Sequence, residues 1–104
     1  MMTLEELNQR CEQENIQYSY GPFQKEVKPP HAMAMEVETD NFMADNRVYS
    51  RIGSIKLDVT MNYLDFNLIK KIEEKILYDV CWEKTQETYL KDEDIWQVSY
   101  FFEI

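Results

Sequence analysis

His31 is the sole histidine of the 104-residue chain, so a catalytic triad, a histidine-led metal site or a proton shuttle would have to use it. It follows Pro29-Pro30 where a strand begins, a setting that suits an ordinary exposed or half-buried residue. Cys11 and Cys81 are the only thiols. Cys11 falls on the apolar stripe of a predicted helix and Cys81 beside Trp82 in a predicted strand, so both read as small core hydrophobes rather than nucleophiles. Acidic side chains gather at Asp40 and Asp45, and again at Asp92-Glu93-Asp94. Neither group has the alternate spacing, the turn glycine and the terminal glutamate of a calcium loop, and each reads as a solvated turn. Two glycines in the whole chain leave no room for a Gly-rich phosphate loop. These residues point to no catalytic chemistry, no metal and no cofactor. The expectation is a protein that is not an enzyme.

Composition sets the outer limits. The chain is one domain's worth of sequence, 1–104, with 44% hydrophobic and 30% charged residues, close to ordinary globular usage. Twenty acidic residues face eleven basic ones, a net charge of -9. That balance repels phosphate backbones and anionic lipid, which argues against nucleic-acid binding and against membrane association. The first residues, Met1-Met2-Thr3-Leu4-Glu5-Glu6, lack the basic start and apolar run of a signal peptide. No stretch approaches the roughly 18 apolar residues of a membrane span. Two distant cysteines do not form a disulfide framework, and a reduced cytosolic setting fits them.

Elements follow from periodicity. Residues 3–15 read as a helix: Thr3 and Glu6 form a capping box, and Leu4, Leu7 and Cys11 share a stripe. Ile16–Tyr20 alternates as a short strand, broken by Gly21-Pro22. Residues 21–31 hold all three prolines, and the stiff, extended Pro29-Pro30 pair delivers the chain into the next strand. In Ala32–Glu38, Met33, Met35 and Val37 share one face; Ala34, Glu36 and Glu38 share the other. Residues 39–46 are turn-rich. Val48–Arg51 and Ile55–Met61 are strands on either side of a bend at Gly53, with Ile55, Leu57, Val59 and Met61 inward. Asp65 is the N-cap of a helix over 66–78, whose solvent side carries Lys70, Lys71, Glu73, Glu74 and Lys75. Val80–Leu90 reads as a strand with a polar middle, Lys91–Asp94 as a turn, and Ile95–Ile104 as a final strand apolar on both faces, hence central. The sum is an α+β fold: a mostly antiparallel sheet of four to five strands with two helices packed on one face, in the order α-β-β-β-α-β-β.

Three stretches together resemble a known family. They are Asn41-Phe42-Met43-Ala44-Asp45-Asn46-Arg47-Val48-Tyr49, the helix Lys70–Ile76, and Trp82–Thr85 followed by Ile95–Tyr100. The succession is similar to small head–tail joining proteins of prophages and long-tailed phages of Gram-positive bacteria, in particular tail terminator or tail-completion proteins. The likeness runs from about residue 16 to the C-terminus. It implies a structural virion protein with an α/β fold of sheet and flanking helices. Such a protein caps the tail tube as a ring of copies of itself, usually six, between the major tail protein and the head-connector proteins. It would be located in the virion tail, and in the host bacterial cytoplasm during assembly.

A ring needs a head-to-tail interface. The segment Phe42, Met43, Asp45, Asn46, Val48 and Tyr49 is the candidate for one half of it. Phe42 and Met43 either meet a partner or fold back on the domain's own core, and Asp45 and Asn46 either join the interface or shape the turn. A DNA channel favours an acidic lining, which repels the passing phosphates. Glu36 with Glu38 is one candidate lining cluster, and Asp92, Glu93 and Asp94 another. The alternative reading is a small acidic phage-encoded binding protein that inhibits a host nucleic-acid-binding protein by presenting DNA-like charge.

Overall fold

The structure, a computed structural model, describes residues 2–37 and 54–103. The first helix, α1, spans Leu4–Gln13. The Glu6 amide donates to the Thr3 hydroxyl at 3.1 Å, closing the predicted cap. Leu7 and Cys11 are fully buried, and Leu4 packs beside them. Strand β1 (Gln17–Tyr20) follows, then β2 (His31–Val37) and β3 (Ser54–Met61). Helix α2 (Phe66–Lys71) starts at Asp65, whose carboxylate accepts from the amides of Asn67 and Leu68 at 3.0 and 3.1 Å. It runs on into a π-helical turn, Ile72–Ile76, marked by Leu77 N–H donating to Ile72 O five residues back. Strands β4 (Trp82–Lys84), β5 (Thr88–Leu90) and β6 (Ile95–Glu103) complete the order.

The architecture is α+β, with one mixed six-stranded sheet and two helices. Its order is β1-β2-β3-β6-β4, with β5 also on β6. β6 is therefore flanked on both sides, as its apolar faces led one to expect, and it pairs with β3 over eight residues from Ser54↔Glu103 to Met61↔Trp96. Three expectations need correction. The segment 80–90 is two short strands, because the polar run after Lys84 offers no alternating apolar residues. There the Thr85 hydroxyl accepts from the Ser99 amide at 3.1 Å. The expected four to five strands are six, because 80–90 divides; the sheet is mostly antiparallel as expected, with β1 parallel to β2 since the connection 21–30 carries the chain back to the starting end of the sheet. The Pro29-Pro30 peptide bond is cis, not extended.

Register sorts the two faces. Ala34 pairs with Leu57 and Leu57 with Tyr100, so these three share a face, with Ala32, Val59 and Val98 in the next row. All six are buried, together with Ile55, Met61 and Phe102. They form one core with Leu7, Cys11, Leu68, Ile69, Ile72, Ile76 and Leu77 from the helical side. Burial of each large apolar side chain is worth about 1.5–3 kcal/mol. The reverse face carries Met33, Met35, Lys56, Asp58, Ser99 and Phe101.

Candidate functional site

The sequence-predicted residues that the structure describes fall into two separate places. Phe42, Met43, Asp45, Asn46, Val48 and Tyr49 lie outside the described residues, as does Glu38. Glu36 is exposed near the end of β2, in a row with Ile55 and Phe102. Asp92, Glu93 and Asp94 are exposed in the turn between β5 and β6. That turn precedes Ile95 and Trp96, and Trp96 pairs with Met61 at the far end of β3. The two acidic groups are thus separated by most of the length of β3, roughly 20 Å at strand rise. They do not form one patch. Asp94 takes a left-handed backbone, φ 53°, which aspartate tolerates, and its carboxylate accepts from the Tyr89 hydroxyl at 2.7 Å. That bond raises the Tyr89 phenol above its ordinary pKa.

The candidate reactive side chains have plain surroundings. Cys11 lies in the core, and burial pushes its thiol up to about 12, so it stays protonated. Cys81 is exposed just before β4, which corrects its expected core position. The strand begins one residue later, so Cys81 is not held against the helices. His31 packs edge-on against Phe23 with ring centres 5.1 Å apart. Its Nδ1 is buried without a hydrogen-bond partner among the described residues, and burial lowers its pKa. The ring is therefore neutral at pH 7. No group of three or more His, Cys, Asp or Glu converges as a metal cage among the described residues.

Two polar clusters escaped the sequence reading. The first centres on Glu73, which the periodicity placed on the solvent side. The π-helical turn widens the helix there and brings Glu73 over the sheet. Its Oε2 accepts from the buried Tyr100 hydroxyl at 2.8 Å and from Lys84 Nζ at 2.7 Å. Desolvation, then the bond to Glu73, drive the Tyr100 phenol far above its ordinary range. Tyr100 is thus a fixed hydrogen-bond donor, stacked edge-on to Trp82 at 5.4 Å. The cluster fastens the helical layer to β4 and β6.

The second cluster centres on Arg10. Its guanidinium donates to both carboxylate oxygens of Asp79, at 2.7 and 2.9 Å, and to Ile76 O at 2.8 Å. It also lies 4.6 Å over the Tyr78 ring. This fork holds α1 to the end of the π-helical turn and satisfies one of its last carbonyls. The Asp79 partner raises the Arg10 pKa further, and the Arg10 bond holds the Asp79 carboxyl below its usual range. In both clusters the polar groups are committed to one another across the layers. Both are fasteners between layers. The only legible signal was that Arg10 and Glu73 sit one residue from buried positions.

What the geometry leaves open to contact is part of the reverse face and the ends of the sheet; elsewhere on that face Thr60 and Ser99 are buried and Phe23 packs on His31. Tyr63 and Phe66 are each 67% exposed between β3 and α2, Met35 and Phe101 stand on the reverse face, and Tyr20 is exposed on β1. No helix among the described residues is long and apolar enough to cross a membrane. Comparison with protein-family models, with characterised proteins and with solved structures finds no match.

Proposed function

We propose that this chain is a structural protein of the head–tail joining region of a long-tailed phage or prophage. In this reading it is a tail terminator or tail-completion protein, assembled as a ring that caps the tail tube and docks to the head connector. The observation that carries the reading is the sequence likeness through Phe42–Tyr49, Lys70–Ile76, Trp82–Thr85 and Ile95–Tyr100. The layout supports it: an α+β domain that packs its helices on one face of its sheet and exposes Met35 and Phe101 on the other. The charge of -9 supports it as well, since an acidic ring lets DNA slide past without binding. Partners are copies of itself, the major tail protein and connector proteins, with no sequence-specific nucleic-acid contact and no membrane.

Deletion of the gene from the phage that carries it tests the reading. Tails of uncontrolled length, or finished tails that fail to join heads, are the expected outcome. Normal virions without the chain remove the reading. Tight capture of a basic host protein, with no affinity for virion parts, moves the account to the inhibitor alternative.

A further inference from the structure

The two edges of the sheet differ in backbone and in charge. At one edge lies β1, the terminal strand. Gly21 N–H donates to Ala34 O, which together with the register Tyr20↔Ala34 turns Gln17, Ser19 and Gly21 toward β2. The backbone N–H and C=O of Tyr18 and Tyr20 therefore point outward, and they have no backbone partner among the described residues. This strand, Gln17-Tyr18-Ser19-Tyr20, carries no charge, proline or bulge, and only its shortness, four residues, blunts it as an edge. The connection 21–30 crosses the reverse face beside this edge, where Phe23 packs on His31 and Gln17 Nε2 donates to Lys28 O at 2.9 Å and to Pro30 O at 3.1 Å. Residues 15–35 hold two lysines, Lys25 and Lys28, and one acid, Glu26, a net charge of +1. The opposite edge is β4 and β5, laid end to end on β6. Residues 82–94 hold five acids, Glu83, Glu87, Asp92, Glu93 and Asp94, against Lys84 and Lys91, a net charge of -3. Lys84 is already committed to Glu73.

We infer that the β1 edge of one copy docks on the β4–β5 edge of the next, with Lys25 and Lys28 facing Glu83 and Glu87. The inference rests on the ring reading above and names its surface. Two copies of a chain at -9 repel over most of their surface, and of the two sheet edges β1's is the one without an excess of acids. An acid-poor edge joined to an acidic one is self-complementary only head to tail, which is the contact a ring requires. The outward groups of Tyr18 and Tyr20 supply the strand-addition geometry, and the lysines supply orientation.

Charge swapping in the full-length chain tests this by sedimentation velocity at low salt and at raised salt. The unaltered chain self-associates, and salt weakens it. The pair Lys25→Glu with Lys28→Glu makes both edges acidic and lowers association at least about tenfold. The pair Glu83→Lys with Glu87→Lys makes both edges basic and does the same. The quadruple variant restores association to within about threefold, as does mixing the two double variants. Circular dichroism checks that each remains folded, and all four side chains stand on the surface or at its margin. An oligomer indifferent to either reversal overturns the edge pairing and leaves the ring reading standing. Failure of the folded quadruple variant to recover overturns it too, as does a chain monomeric at millimolar concentration. A chain that pairs by these edges yet is dispensable for virions removes the phage reading and leaves the pairing.

Discussion

Ile55, Leu57, Val59 and Met61 lie under the helices and are all but fully buried, whereas Lys56 and Asp58, alternating with them on β3, face away and keep contact with water. The same division runs across the sheet: Ala32 and Ala34 against Met33 and Met35 on β2, Tyr100 and Phe102 against Phe101 on β6. One face holds the fold together. The other is mixed: Thr60 and Ser99 are buried on it and Phe23 packs on His31, while the larger apolar side chains Met35 and Phe101 stay in view of solvent. That division, together with the contrast between the sheet's two edges, is what the proposed assembly role draws on.

The sharpest way to break the comparison is a matched pair of truncations. Leu57→Ala removes a fully buried side chain and should cost about 3 kcal/mol in chemical denaturation. Met35→Ala, on the reverse face, should cost less than about 1 kcal/mol. Equal losses would mean that the reverse face is part of the core. The fasteners come next. Arg10→Met leaves Ile76 O and Asp79 without their donor and should cost about 2 kcal/mol, visible as a lower melting temperature. Tyr100→Phe deletes one hydroxyl while Glu73 keeps Lys84, and should cost about 1–2 kcal/mol by the same measurement.

A pH dependence, silent at neutral pH, is written into the covered face. Cys11 is raised from 9.0 to about 12 and Tyr18 from 10.0 to about 12, both chiefly by burial. The unfolded chain ionises these groups first. Stability is therefore complete below about pH 9 and declines from there toward pH 12, as the unfolded state gains charge that the folded state resists. Cys11→Ala should flatten the first part of that decline in a series of denaturation curves. An unchanged slope would place Cys11 in contact with water.

Much of this was legible because apolar alternation is a direct consequence of one-sided burial. β3 and β6 announced their inward residues two by two, and Thr3 and Asp65 announced the helix starts. Other features depend on contacts far apart in sequence. Hydrophobicity ranks Met33 and Met35 above Ala32 and Ala34, yet it is register with Val59 and Leu57 that carries the alanines beneath the helices. Nothing local in Ile72–Ile76 distinguishes a π-helical turn from an α-helical one, so Glu73 was placed on the wrong side. The parallel β1–β2 pairing follows from where the connection 21–30 returns the chain, which local propensity does not encode. For the candidate site, Glu36 and Asp92–Asp94 were correctly seen as exposed acids, but only the sheet order shows that they lie at opposite ends.

Quantitative mass spectrometry of purified phage particles from the strain that carries this gene tests most directly the claim that the chain acts by fitting into a virion. The account predicts the intact chain in tails or joined particles at a fixed, low copy number, roughly six per tail. Purified particles devoid of it would contradict the account.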